Sequence, residues 1–236
     1  MPPFNFDFNQ PLVILPARLK SSRLPLKMTL EVAPNLPLIV ASALNAKRAC
    51  SQVLVATDSP VIADILQQHN IAYMLTPEDC PSGTDRLAFV VKELGLGQSI
   101  FDDNPWIINV QGDEPLLEPS ILLELMRSCT LNPKADIITV AVKLQSSEEW
   151  TNPNCVKAVT PSAALNTTQP VLYFSRSAVP FNRDNPGVVP LNAWRHIGVY
   201  AYQARTLARW PDLAYSLLED TEKLEQWRAI ENGLQF

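Results

Sequence analysis

Between Trp106 and Pro115 the chain reads W-I-I-N-V-Q-G-D-E-P, so a β-branched apolar run delivers two adjacent carboxylates, Asp113 and Glu114, onto a glycine turn and a proline. Such a run reads as a buried strand, and open α/β sheets bind ligands beyond the carboxyl ends of their strands. Asp113 is therefore expected at a C-terminal rim, where a carboxylate can hold a catalytic Mg²⁺. The same position also suits a helix cap or a loop anchor. The acidic pair needs company before it reads as chemistry.

A second segment supplies it. Pro11 to Pro16 reads P-L-V-I-L-P and runs into A-R-L-K-S-S-R-L-P-L-K, an apolar strand opening into a basic loop. Arg18, Lys20, Arg23 and Lys27 are interleaved with Ser21 and Ser22, whose hydroxyls and amides also hold phosphate oxygens. The pattern is that of a polyphosphate clamp. Cations on a solvated turn are the plain alternative. Two observations favour the clamp: the loop follows the first strand of an alternating α/β pattern, and its four cations oppose a net charge of −5 for the whole chain.

The elements that must position these residues alternate. Leu12 to Leu15 is a predicted strand, Leu36 to Ala49 a helix, Val53 to Ala56 a strand ending at Thr57-Asp58, and Ser59-Pro60 starts a helix to about His69 with Ser59 as its N-cap. Ile71 to Leu75 is a short strand, C-P-S-G-T-D-R-L a turn before the helix Arg86 to Leu94, Ile107 to Val110 a strand and Pro119 to Ser128 a helix. The expected fold class is α/β, with a doubly wound, mostly parallel sheet and a smaller mixed-sheet lobe at about residues 136–236 of a single domain. In that lobe Asp136 to Val142, Cys155 to Val159, Val171 to Phe174 and Ile197 to Tyr202 read as strands. From Ala204 the chain reads as largely helical, with Leu217, Leu218, Leu224 and Trp227 on one apolar side.

Composition excludes several classes. With 236 residues and 47% hydrophobic content the chain can build a sizeable core. No apolar stretch approaches the roughly 20 residues that span a bilayer, and M-P-P-F-N-F-D-F has no basic n-region, so a soluble, cytoplasmic protein is expected. Cys50, Cys80, Cys129 and Cys155 are widely spaced, which disfavours zinc and a disulfide framework. Without aromatic residues interleaved among basic ones, no nucleic-acid surface is indicated.

The motifs I-L-P-A-R-L-K-S-S-R-L-P-L-K, V-A-T-D, S-G-T-D-R-L, N-V-Q-G-D-E-P, N-P-N-C-V-K, L-Y-F-S-R-S-A-V-P, R-H-I-G-V-Y-A-Y and K-L-E-Q-W-R-A-I-E-N-G occur in order from about Leu12 to Gly233. In these the chain resembles the 3-deoxy-manno-octulosonate cytidylyltransferases, the CMP-Kdo synthetase family, of nucleotide-diphospho-sugar transferase fold. The resemblance implies an enzyme joining CTP to the acid sugar Kdo, with Mg²⁺, to give CMP-Kdo and pyrophosphate for lipopolysaccharide biosynthesis. It implies Arg18, Arg23, Lys27, Ser82, Thr84, Arg86 and Gln111 about the nucleotide, with Arg18, Lys27 and Asp113 catalytic and Asp113 the metal ligand. For the sugar it implies Arg176, His196, Tyr200, Glu225 and Gln226. A homodimer through about Leu217 to Ile230 is expected too, although the same apolar stripe could pack on the chain's own second lobe.

The chain departs from the family pattern twice. Leu26 stands where the family usually has glycine, and A-P-N-L-P replaces the following Gly-Lys-Pro turn. The family's G-x-D-T-P-E-D-L segment, whose aspartate helps bind metal, has no counterpart before Phe236; Asp58 or Glu114 are candidates to substitute. Other readings are a cytidylyltransferase for 8-amino-Kdo, a metal-dependent glycosyltransferase, and a catalytically impaired nucleotide-binding homologue.

Overall fold

The run L-V-I-L-P-A forms strand β1 (Leu12–Ala17), every residue of which is buried. Such burial on both faces is what an apolar run without alternation demands. The computed structural model describes residues 7, 9–19, 24, 26–97 and 104–236. The chain divides into unit 1, residues 1–133 and 199–211, and unit 2, residues 134–198 and 212–236.

Unit 1 continues from β1 through β2 (Glu31–Ala33), β3 (Leu36–Pro37), α1 (Leu38–Lys47), β4 (Val53–Thr57), α2 (Pro60–Gln68), β5 (Ala72–Leu75), α3 (Gly83–Glu93), β6 (Trp106–Asn109) and α4 (Pro119–Leu131). The main strands stand in the order β5-β4-β1-β6 and are parallel throughout, with Leu54 opposite Ala72, Val13 opposite Val53 and Leu12 opposite Ile107. From β1 the chain winds outward one way to β4 and β5, then crosses to the other side of β1 for β6. This reversal places a crevice beyond the carboxyl ends of β1 and β6. β2 and β3 form a separate two-stranded antiparallel pair.

Unit 2 contains β7 (Ile137–Lys143), α5 (Ser147–Thr151), β8 (Lys157–Val159), β9 (Tyr173–Ser175) and the first part of β10 (Ala193–Gln203). There β8 pairs antiparallel with β9, Ala158 opposite Phe174, and with β10, Ala158 opposite Trp194. The end of β10 belongs to unit 1, where Tyr200 to Gln203 pair antiparallel with β6, and it leads into α6 (Ala204–Arg209). The chain then returns to unit 2 for α7 (Leu217–Glu222) and α8 (Gln226–Glu231). Residues 199–211, which the sequence places in the lobe, thus lie in unit 1.

The structure differs from the sequence reading at identifiable places. α1 starts at Leu38 instead of Leu36, because Leu36-Pro37 pairs with β2 and Pro37 is extended at φ −60°, ψ 149°. α3 starts three residues before Arg86: Ser82 caps it, accepting from the Asp85 amide at 3.2 Å, and Gly83 is its first residue. Only part of the apolar stripe of the last helices faces inward. Leu224 packs with Ala158, Phe174 and Trp194 in the core of unit 2, with Trp227 and Ile230 against them. Two of the four side chains in the stripe offered for a dimer contact are thus occupied within unit 2, while Leu217 is 69% exposed. Accordingly, Leu224→Ala should cost about 2–5 kcal/mol in urea unfolding, and Leu217→Ala should stay within about 0.5 kcal/mol of the parent.

Candidate active site

The crevice beyond β1 and β6 is built on a close backbone approach. A Cβ placed on Gly112 would lie 2.9 Å from the Pro16 carbonyl oxygen and 3.0 Å from Ile39 Cδ1, so only glycine lets the β6 loop cross the end of β1. Gly83, at the start of α3, also faces Pro16; a Cβ there would lie 3.4 Å from the proline ring. Two segments thus meet at one proline near the end of β1. After Gly112 the Gln111 carbonyl accepts from the Glu114 amide at 3.2 Å, a tight turn that presents Asp113.

Lys27 Nζ donates to Asp113 Oδ2 at 2.5 Å, joining residues 86 apart in sequence. The two side chains are 36% and 34% exposed. A pair this open to water contributes at most about 1 kcal/mol, so either partner can be given up to a charged ligand at small cost. Arg18 immediately follows β1 and is half-buried on the same rim. Burial, and then the Asp113 charge, push the Glu114 carboxyl above its ordinary range. Arg23, with Lys20, Ser21 and Ser22, lies outside the described residues.

Backbone conformation accounts for Leu26. It sits at φ 59°, ψ 16°, the left-handed region in which glycine is the favoured residue, just before a 3₁₀ turn from Lys27 to Thr29. The chain keeps the conformation that points Lys27 toward Asp113 and bears its steric cost. In A-P-N-L-P the left-handed position is taken by Asn35 at φ 55°, a residue that tolerates it better.

Two of the remaining nucleotide candidates, Ser82 and Arg86, are held by protein side chains. Ser82 Oγ donates to Asp85 Oδ2 at 2.7 Å while capping α3. Thr84 is buried, and Gln111 is half-buried in the turn before Asp113. Arg86 is wholly buried: its Nη1 donates to Thr76 Oγ1 and to the Pro77 carbonyl, and its Nη2 donates to Asp58 Oδ2 at 3.0 Å. Asp58 is thereby committed to Arg86, which leaves Glu114 as Asp113's acidic neighbour. Among the described residues no cluster of three or more His, Cys, Asp or Glu side chains is placed to hold a metal ion. Asp113 offers one carboxylate, a donor that suits a hard cation drawing its other ligands from phosphate and water.

Of the sugar candidates, four are in unit 2. Arg176 Nε donates to the Glu222 carbonyl at 2.5 Å, its Nη1 to the Pro153 carbonyl at 3.0 Å and its Nη2 to the Lys223 carbonyl at 3.4 Å, so the guanidinium clamps the end of α7. His196 Nε2 lies 2.9 Å from Thr139 Oγ1, and its ring meets Phe174 edge-on at 5.1 Å. Burial pushes the imidazole down to about 4, which leaves it neutral at pH 7. Glu225 precedes α8, and Gln226, its first residue, is buried. Tyr200 lies in the unit 1 part of β10, opposite Asn109, with its ring 5.7 Å from that of Tyr202.

Sequence reasoning missed two residues that organise these positions. Lys157 is fully buried and gives its ammonium to the carbonyls of Asn152 at 2.9 Å, Cys155 at 2.6 Å and Arg176 at 2.6 Å. Glu222 accepts from Ser175 Oγ at 2.9 Å and from the Arg176 amide at 2.5 Å. A lysine at an inward strand position was the available signal for the first; the second left none.

A cytidylyltransferase family model matches residues 12–236. The chain belongs to this family. It is 40% identical over 235 residues to the 3-deoxy-manno-octulosonate cytidylyltransferase of Polynucleobacter necessarius subsp. necessarius, covering 98% of this chain and 88% of the relative. The enzyme of that name from Polynucleobacter asymbioticus is 40% identical over 226 residues, with coverages of 95% and 85%. A solved CMP:2-keto-3-deoxy-manno-octonic acid synthetase complexed with CTP superposes with a TM-score of 0.81 at 32% identity, covering 96% of this chain and 87% of that one. At 11% identity and a TM-score of 0.56, a 4-diphosphocytidyl-2C-methyl-D-erythritol synthase shares the fold, over 95% of this chain and 85% of its own.

Two outcomes follow from this geometry. At position 26, stability should rank glycine at or above leucine and both above isoleucine, over a span of about 2 kcal/mol in denaturant unfolding, because a β-branched residue is worst placed at positive φ. For His196 the folded-state value of about 4 lies below the ordinary 6.5. Its neutral burial is therefore fully tolerated above pH 6.5, and stability falls as pH drops from 6.5 towards 4, by on the order of 3 kcal/mol. Melting curves across that window should show the fall, and His196→Gln should flatten it.

Proposed function

We propose that this chain transfers the cytidylyl group of CTP to Kdo, giving CMP-Kdo and pyrophosphate for lipopolysaccharide biosynthesis. The observation that carries the reading is the Lys27–Asp113 contact at the crevice where the parallel order reverses. A lysine and an aspartate that separately resemble the family's phosphate loop and metal ligand meet at one point. The relatives at 40% identity, whose names specify this reaction, support it.

In the proposed mechanism a sugar hydroxyl oxygen attacks the α-phosphorus of CTP. The bond from that phosphorus to the oxygen bridging to the β-phosphate breaks, and pyrophosphate leaves with the electron pair as the hydroxyl proton passes to water. Little covalent work falls to the protein, so catalysis rests on positioning and charge. Arg18 and Lys27 hold the triphosphate, with Arg23 assigned beside them. Lys27 exchanges its Asp113 partner for a phosphate oxygen, which leaves the Asp113 carboxylate available to a cation. Mg²⁺ held by Asp113 would neutralise the triphosphate and lower the pKa of the attacking hydroxyl. Gln111 and Ser82 are assigned to the nucleotide, while Thr84, buried, is left to support the start of α3. Tyr200, His196, Glu225 and Gln226 are assigned to the sugar, His196 as a neutral hydrogen-bonding group, while Arg176 holds the carbonyls of Glu222 and Lys223 just before Glu225. No helix among the described residues is long and apolar enough to cross a membrane, which suits water-borne substrates.

Pyrophosphate release from CTP, measured with Kdo and with 8-amino-Kdo, with and without Mg²⁺, tests the reading. Release that requires Kdo and Mg²⁺ is expected. Asp113→Asn should lower kcat by about 10²–10³-fold at an unchanged melting temperature, since the pair it breaks is weak and the group it removes acts on developing charge. Release with 8-amino-Kdo alone would reassign the sugar, and full turnover by Asp113→Asn would remove Asp113 from the metal site.

A further inference from the structure

Asp58 binds more than Arg86. Its side chain is 8% exposed; Oδ2 accepts from Arg86 Nη2 at 3.0 Å, and Oδ1 accepts from the backbone N–H of Leu19 at 3.2 Å. One carboxylate thus joins the end of β4, the buried guanidinium of α3 and the residue directly after Arg18. We propose, on the functional reading above, that Asp58 is a positioning residue for the triphosphate loop, acting through the Leu19 amide on Arg18.

A peptide group is planar, so holding the Leu19 N–H also sets the direction of the Arg18 carbonyl and the angle at which the chain leaves β1. Hydrogen bonds from a backbone N–H to a carboxylate are roughly twice as strong as neutral ones, which makes the carboxylate a firm anchor. An unbalanced anion next to a polyphosphate site would work against binding. Arg86 removes that conflict: buried and held by Thr76 and Pro77 as well, it cancels the Asp58 charge and spends its own cation on the loop's anchor. The V-A-T-D and S-G-T-D-R segments then serve one task, in which Arg86 acts on the nucleotide only through Asp58 and Leu19.

Two double variants isolate the anchor. Asp58→Asn with Arg86→Met and Asp58→Leu with Arg86→Met both remove the buried ion pair, but only the first keeps an acceptor for the Leu19 N–H. Steady-state kinetics with CTP and Kdo, and amide exchange at Leu19 without nucleotide, are read on both. The Leu variant should show a KM for CTP about tenfold above that of the Asn variant and faster Leu19 exchange, while KM for the sugar and kcat differ by less than about twofold. If the Leu variant does not fold, Asp58→Ala with Arg86→Met takes its place against Asp58→Asn with Arg86→Met. A common KM for CTP in an active pair overturns the positioning role alone. A parent that turns over no CTP overturns the functional reading and the positioning role together, whatever the Leu19 exchange shows.

Discussion

The crossing of the β6 loop over the end of β1 is the constraint on which the site depends. Where Gly112 passes the Pro16 carbonyl there is no room for a side chain. The loop can therefore lie close enough to β1 for the next residue, Asp113, to reach a lysine that belongs to the loop leaving β1. Separate the two by the width of a methyl group and the acid and the basic loop become two unrelated rim features. The parallel order around β1 brings the loops to the same edge, and the missing Cβ closes the last few ångströms.

Most of unit 1 was legible because its strands are uniform apolar runs bounded by prolines, glycines and polar residues, a pattern with few alternatives. Ser59-Pro60 announced α2, and Ser59 does cap it, accepting from the Ile62 amide at 3.4 Å. The start of α3 was not legible, since S-G-T-D has the composition of a turn. What makes it helical is the Ser82 cap together with packing against Pro16, a contact made across the fold. For the candidate site, residue types identified Asp113 and the basic loop, but partners could not be read from spacing. Arg86 resembles a phosphate ligand in sequence and is wholly buried against Asp58 in the fold. Leu224 and Trp227 resemble a surface stripe and pack inside unit 2. In each case the deciding quantity was burial, which depends on segments far away in the chain.

Unit 2 relies on a different kind of support. Its strands β8 and β9 are only three residues long, and it uses charged side chains to gather backbone carbonyls: Lys157 takes three, and Arg176 takes three more. A buried ammonium is tolerated when all three of its donors are satisfied, and burial accordingly lowers the Lys157 pKa from its ordinary value without leaving the group unpartnered. Loops that would otherwise have only local hydrogen bonds are thus fixed at both ends. The motifs N-P-N-C-V-K and S-R-S read in this light as internal bracing for the segments that precede and follow them.

The Lys27–Asp113 contact also sets a limit on affinity. Because the two opposite charges already hold each other, a charged ligand that takes one of them competes with the other, and the site carries its own competitor. Competition of this sort weakens apparent binding by the strength of the pair, at most about 1 kcal/mol for partners so exposed to water, or roughly fivefold. Burying the same pair would raise that penalty steeply. A third of each side chain left open to solvent keeps the self-competition small enough for a polyanionic ligand to overcome.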